Sequence, residues 1–386
     1  MYITESNVYE VYLKDDLVAK IDISDGTVTV KEKAPLDLPL IENPKTISER
    51  VQNIAIFKEW CASRTLMMSQ KHAKKICNAL NLSQENSIDN KAGIALAYNG
   101  STLSDAYWVK KHNSNLTFAD TSLYKNTSRN ILTPVSLRGE VDSVFTKKLK
   151  NWSDIGADGT LAKSWIRKDN YYYLEKAGDN IEGEILASDI LESMNANAIS
   201  YKKTENETLS VSECKCFTTE DISFIPYRTF AKKYGLDAIK KIKKSFLTDY
   251  ANMTISTYLI GNEDLHDKNW GLLMDNDSGK IIGLAPLFDF DGCFLNYNNS
   301  KDLLFLPETI FVMENGEKRA YHEWNMDEEY ELMGPTIEIA AAKYAKYSTL
   351  DYHNIDMSLI PEKYKEEFER RITYLEKQKD FDYEKN

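Results

Sequence analysis

Asn262, Asp264, His266, Asp267, Lys268 and Asn269 stand within eight residues, in the order NEDLHDKN. An amphipathic run leads into them. An apolar segment (Trp270 to Met274), a turn-rich DNDSG and a second apolar segment (Ile281 to Phe288) follow, and the last stops at Asp289. This layout predicts a helix, a polar loop and a two-stranded hairpin whose outgoing strand brings a carboxylate beside the loop. Phosphoryl transfer needs that inventory. One carboxylate accepts or orients the proton of the attacking hydroxyl, while another carboxylate and a carboxamide hold Mg²⁺ against nucleotide phosphates.

Asp264 and Asn269 are five residues apart, and Asp289 follows across the hairpin. Protein kinases set their base, their Asn and their strand-borne Asp in this order, with the same first spacing. A solvated loop between two apolar runs would draw on the same residue types. DNDSGKIIGLAP also has the look of a calcium loop. However, Gly279 stands fifth rather than sixth and Pro286 occupies the place of the closing Glu, so calcium is rejected. His266 has no second His or Cys at ligand spacing, which argues against zinc.

The chain here resembles the HipA-type serine/threonine kinases of bacterial toxin–antitoxin systems. NEDLHDKN is similar to that family's N-x-D-x-H-x-K-N catalytic loop, and LAPLFDFD (residues 284–291) to its second metal motif. By that resemblance Asp264 is the general base, and Asn269 and Asp289 are the Mg²⁺ ligands. His266, Lys268 and Phe288 then lie near the nucleotide.

A second informative stretch is WSDIGADGTLAKSWIRKDNYYYLEK, residues 152–176. Gly156 and Gly159 sit in a short loop before an apolar alternation, and Asp169-Asn170 turns the chain into a second strand. Glycines let backbone N–H groups approach phosphates, and lysine supplies a compact charge. A plain hairpin turn accounts for these residues equally well. GADGTLAK is similar to the HipA nucleotide loop, which implies contacts from Gly156, Ala157, Asp158, Gly159 and Lys163. Lys176, closing the next strand, is the candidate phosphate-binding lysine. Glu184, in the helical run EGEILASDILESM, is its candidate ion-pair partner, although a first-turn acid favoured by the helix dipole reads the same way. Many HipA kinases carry an autophosphorylated serine seven residues before the loop lysine. That position is Gly156 here, so autoinhibition at that site is impossible.

The other segments must support these groups. Residues 1–35 alternate as strands, with Asp15-Asp16 and Asp25-Gly26 as turns, and Ile47 to Leu82 reads as helical. The segment LSDAYWV, with Asp105 and Trp108, looks like an element of one subgroup of HipA-like proteins. LSVSECKCFT (209–218) reads as a strand leading to an adenine-facing hinge at Glu213, Lys215 and Phe217, where backbone groups do the work. From Leu236 a long helix is expected, with Leu236, Ile239, Ile242, Phe246, Tyr250 and Met253 on one stripe. Lys240, Lys241, Lys243 and Lys244 would then form a solvated face, or a docking patch for an acidic partner. After Gly292 the remainder reads as helix-rich.

Composition bounds the reading. The chain has 386 residues, 42% of them hydrophobic, which is enough for two or three domains. It lacks an apolar run long enough for a membrane span, and its acidic, polar start is unlike a signal peptide. Five dispersed cysteines read as reduced thiols in the cytoplasm. A net charge of −12 argues against direct nucleic-acid binding.

The expectation is therefore an α+β, two-lobed, protein-kinase-like (HipA-like) fold. Residues 1–140 form a mixed α/β accessory domain, 141–235 the N-lobe with the nucleotide loop, lysine and hinge, and 236–386 a helical C-lobe. The resemblance implies transfer of the γ-phosphoryl of ATP to a serine or threonine of a protein. It further points to a toxin acting on a translation factor and to an antitoxin partner. A small-molecule or lipid kinase would use the same three residues. So would a nucleotide-binding pseudokinase regulator, although pseudokinases commonly lose the base.

Overall fold

Apolar residues at alternate positions of VYEVYL and DLVAKID put one face of each strand into a core. They form β1 (Val8–Leu13) and β2 (Asp16–Asp22), joined by a tight turn at Lys14-Asp15, one residue before the expected Asp15-Asp16. This computed structural model describes residues 7–126, 130, 132–141, 159–207, 209–235, 237–308, 310–314, 317–321, 335–352 and 355–379. The chain divides into two units, one of residues 1–177, 205–224 and 274–281, the other of 178–204, 225–273 and 282–386.

In the first unit, β3 (Val28–Val30) and β4 (Tyr107–Lys111) complete an antiparallel sheet in the order β3-β2-β1-β4. Helix α1 (Ile47–Ser63) starts on a capping box, Thr46 with Glu49, and buries Phe57, Trp60 and Cys61. The expected helix from Ile47 to Leu82 is in fact interrupted. Arg64 ends α1 and turns its guanidinium to Gly100 O (2.6 Å), Tyr107 O (3.1 Å) and both oxygens of Asp105 (2.6 and 2.9 Å). A buried guanidinium needs such acceptors, and the 100–107 segment supplies them. Helicity resumes in α2 (Ala73–Ala79), after His72 in a left-handed conformation, and α3 (Ile88–Ala97) and the short α4 (Phe118–Thr121) follow.

A second antiparallel sheet contains β5 (Ala162–Lys168) and β6 (Tyr171–Ala177), turned at Asp169 (φ +53°). With β7 (Tyr201–Asn206) and β8 (Leu209–Lys215) its order is β5-β6-β8-β7. A three-stranded sheet, in the order β11-β10-β9, joins β9 (Ile222–Pro226), β10 (Gly271–Asp275) and β11 (Lys280–Leu284). The turn between the last two closes as DNDSG requires: Gly279 N donates to Asp275 O with φ +69°.

The second unit is mainly helical, with α5 (Ile181–Ser193), α6 (Tyr227–Tyr234), α7 (Asp237–Ile260), α8 (Ile337–Tyr344) and α9 (Glu362–Lys379). Ile239, Ile242, Tyr250 and Met253 are buried on the expected stripe of α7, and Leu236 lies outside the described residues. Phe246 departs from helical backbone and kinks α7. The lysine run is not wholly solvated, because Lys243 reaches the buried Glu308 (3.0 Å) and the Tyr344 hydroxyl (2.7 Å). Nor is the remainder only helical: β12 (Ile310–Glu314) pairs with β13 (Glu317–Tyr321). Among the described residues, no helix is long and apolar enough to cross a membrane. All five cysteines are free thiols.

Candidate active site

Helix α7 stops at Ile260, where Gly261 takes φ +60° and the Asn262 N–H donates back to Thr257 O at 3.1 Å. Glycine is the residue that makes this left-handed exit without strain. The loop that follows is knitted to itself. Asn262 Oδ1 accepts from the Asp264 N–H (3.0 Å), and Asp264 O accepts from the His266 N–H (2.9 Å). The Asn269 N–H donates to His266 O (2.9 Å). Asn269 Nδ2 donates to Asp264 O (3.0 Å) and lies 3.4 Å from Asp264 Oδ2. Asp267 turns away from this group into a bidentate pair with Arg228 (2.6 and 2.8 Å). The loop is thereby pinned to α6, and Trp270 stacks on Tyr227 beside it at 4.4 Å.

Asp289 is positioned independently. Leu287 bridges in parallel to Ala198, and the Asp289 N–H donates to the Tyr201 hydroxyl at 3.0 Å. Asp289 itself holds φ +63°, a conformation Asp tolerates better than most residues. Asn180 Nδ2 bridges Asp291 O and Cys293 O (2.7 and 2.8 Å) and fixes the chain just beyond. There Gly292 passes so close to the loop that a Cβ on it would stand 2.9 Å from Asp264 Cβ and 3.0 Å from Asn262 Oδ1. Gly292 O accepts from the Glu263 N–H at 3.2 Å. The segment bearing Asp289 and the loop bearing Asp264 are thus in direct contact.

Asp264 is accessible on the loop surface. Partial desolvation raises its carboxyl above the ordinary aspartate value. His266 opposes that rise, the negative charge of Asp289 adds to it, and the Asn269 hydrogen bond opposes it again. Two carboxylates close enough for one to raise the other's affinity for a proton suit a cation. Since Asn269 spends Nδ2 on Asp264, its Oδ1 is the atom left to act as a ligand. Carboxylate and carboxamide oxygens are hard donors, and Mg²⁺ takes few protein ligands, completing its shell with phosphate oxygens and water. The residues therefore fit that ion.

In the first unit, register places Lys163 directly opposite Lys176, on the same face of the β5–β6 hairpin, both buried. Lys163 Nζ lies where a Cβ on Gly159 (φ +116°) would stand, so the loop backbone and the ammonium are adjacent. Gly156, Ala157 and Asp158 lie outside the described residues. On β8, Glu213 is engaged by Lys168, and Lys215 Nζ sits 3.4 Å over the Tyr171 ring. Phe217 packs edge-on against Phe224 at 5.5 Å. In the second unit Glu184 is buried on α5, while Lys268 and Phe288 are half-buried near Asn269 and Asp289 in sequence. His266 Nδ1 accepts from the Lys268 N–H at 3.2 Å, so a neutral His266 carries its proton on Nε2. Asn180, Tyr201, Arg228 and Gly292 were not singled out from the sequence. Of these, only a glycine one residue beyond an acidic motif carried a usable signal.

No protein-family model matches the chain, and no curated protein matches it. Among solved structures it is similar to HipA of the Shewanella oneidensis MR-1 toxin–antitoxin system, solved with HipB and operator DNA. That match has a TM-score of 0.52 and 11% identity, and covers 97% of this chain and 100% of the other. The fold is HipA-like. The Helicobacter pylori proinflammatory kinase CtkA also matches, at TM-score 0.38 and 19% identity over 58% of this chain and 88% of its own. A HipA-like fold is the mixed α+β architecture expected from the sequence.

Proposed function

We propose that the chain is a HipA-like kinase that transfers the γ-phosphoryl group of ATP to a serine or threonine hydroxyl of a protein. The observation that carries this reading is the contact between the Asp264–Asn269 loop and the Asp289 segment, sealed at Gly292. It gathers two carboxylates and one oriented carboxamide within a single unit.

Each residue then has a task. Asp264 orients the acceptor hydroxyl and takes its proton; its raised carboxyl strengthens it as a base relative to an ordinary aspartate. Asn269 and Asp289 hold Mg²⁺, which when bound neutralises charge on the phosphates. Lys176 contacts the α- and β-phosphates, with Lys163 and Gly159 forming the nucleotide loop, and Glu184 is the expected partner of Lys176. The hinge at Glu213, Lys215 and Phe217 meets adenine through backbone groups.

The HipA match comes from a toxin–antitoxin system that contains HipB. We extend this to an antitoxin partner here; the substrate class, a protein of the translation apparatus, rests on the family resemblance of the sequence alone. The test is a whole-proteome phosphopeptide comparison between cells carrying the wild type and cells carrying Asp264→Asn. Serine or threonine phosphopeptides present only with the wild type support the reading. Labelled phosphate found only on a metabolite or lipid would replace it with a small-molecule kinase, and ATP binding without turnover would replace it with a pseudokinase.

A further inference from the structure

A fully buried charge of the second unit lies far from Asp264 in sequence. Arg371, on α9, is 0% exposed. Its guanidinium donates to Tyr258 O, to Tyr297 O (2.5 Å) and to Ser300 Oγ (2.9 Å), and its Nε to Glu367 (2.9 Å). The cation also lies 4.1 Å over the Tyr297 ring and 5.0 Å over that of Tyr258.

These partners share a location. Tyr258 is in the last turn of α7, and the carbonyl of the next residue, Leu259, accepts from the Tyr297 hydroxyl at 2.6 Å. Tyr297 and Ser300 also wall the helix exit: a Cβ on Gly261 would stand 2.7 Å from the Tyr297 ring and 2.8 Å from Ser300 Oγ. Helix-end carbonyls have no intrahelical donor and carry partial negative charge, so a buried guanidinium suits them. Arg370 grips the same turn from outside, reaching the Tyr258 hydroxyl (3.2 Å) and Glu338 (2.6 Å). Six residues beyond Tyr258 is Asp264.

We propose that Arg371 is a positioning residue for phosphoryl transfer. Its fork locks the end of α7 against the Tyr297–Ser300 turn and so fixes the direction in which the catalytic loop leaves the helix. The C-terminal helix α9 is then part of the catalytic apparatus, although it supplies no group to the reacting atoms. This inference rests on the kinase reading above. Misplacement of a catalytic group by about 1 Å costs about 10²-fold in rate, which sets the expected effect.

The experiment compares full-length wild type, Arg371→Lys and Tyr297→Phe. Arg371→Lys keeps the charge and loses the fork; Tyr297→Phe keeps the ring and loses only the hydroxyl on Leu259 O. Turnover per folded molecule is measured well below each melting temperature, alongside hydrogen exchange of residues 258–269. Arg371→Lys is expected to lose about 10²-fold in kcat with KM for ATP within about twofold, and to exchange faster across 258–269. Tyr297→Phe is expected to show the same pattern at smaller size, and it carries the test should Arg371→Lys fail to fold. Unchanged kcat per folded molecule with unchanged exchange in that segment would overturn the proposal. Absence of transfer in the wild type would refute the kinase reading instead, and the exchange data would still judge the clamp.

Discussion

Asn269 is tied to Asp264 by a single amide group, with Nδ2 3.0 Å from the Asp264 carbonyl and 3.4 Å from its carboxylate. The tie makes one residue both a candidate metal ligand and the orienter of the candidate base. Asn269→Asp keeps an oxygen ligand of the same shape but sets a second carboxylate against Asp264. Transfer is expected to fall about 10²-fold or more while Mg²⁺–ATP affinity stays within a few-fold. Steady-state kinetics beside a direct binding titration checks this. An equal loss of both would mean that Asn269 acts only through the metal.

Asp264→Asn separates function from stability. The Asp264 carboxyl is raised in the fold, chiefly by partial desolvation, with Asp289 adding to the rise. A raised acid costs the folded state stability as pH climbs through its unfolded value, about 3.9, up to its folded value, and the full penalty persists above both. The neutral isostere has no such penalty. It is expected to melt higher than the wild type at pH 7 without ligand, and to lose transfer at least about 10²-fold. A variant that melts lower at pH 7 would contradict the electrostatic account.

Gly292→Ala tests the contact between the two segments. Its added methyl would meet Asp264 Cβ at 2.9 Å and Asp264 N at 3.1 Å. The atoms it would meet are Asp264 backbone and Cβ rather than the far end of a flexible side chain, so the loop itself must shift. The expected result is a loss of about tenfold or more in kcat, with an overpacking cost of about 1–3 kcal/mol seen in urea unfolding. Wild-type kinetics in this variant would show that the loop has room to move.

The Arg370–Arg371–Glu367 cluster predicts an acid dependence of folding. Burial pushes the Glu367 carboxyl up, but hydrogen bonds from Arg370 (2.7 and 2.9 Å) and Arg371 (2.9 Å) outweigh it and hold the carboxyl below the usual range. The resulting stability is present above the unfolded glutamate value, about 4.3, and is lost as pH falls through the lower folded value. The stability gap between wild type and Glu367→Gln is expected to shrink from about pH 5 to pH 3, as followed by urea midpoints. A gap independent of pH would remove the carboxylate from the account.

Legibility in the sequence followed the range of the forces involved. The end of α7 at Ile260, the hairpin turn at Asp169-Asn170 and the facing of Lys163 and Lys176 all follow from local periodicity and turn chemistry. Asp264, Asn269 and Asp289 were legible as a candidate set because their order and spacing are those that phosphoryl transfer calls for. What stayed hidden depends on partners distant in the chain. The helix that ends at Arg64 places a buried guanidinium whose partners, Gly100 and Asp105, lie about 40 residues on. Tyr201 and Asn180 hold the Asp289 segment from about 90 and about 110 residues away. Arg371 reads in sequence as one more charge on an amphipathic helix, yet it is wholly buried. The β12–β13 hairpin is a different case. Asn315-Gly316 between alternating runs is a hairpin signal, and the helical tone of the flanking segments masked it.

The most direct measurement is calorimetric titration of ATP into wild type and Asp289→Asn, each with and without Mg²⁺. Mg²⁺ is expected to tighten ATP binding to the wild type and to leave binding to Asp289→Asn nearly unchanged. Equal Mg²⁺-dependent tightening in both proteins would contradict the assignment of Asp289, and with it the three-residue site on which the account stands.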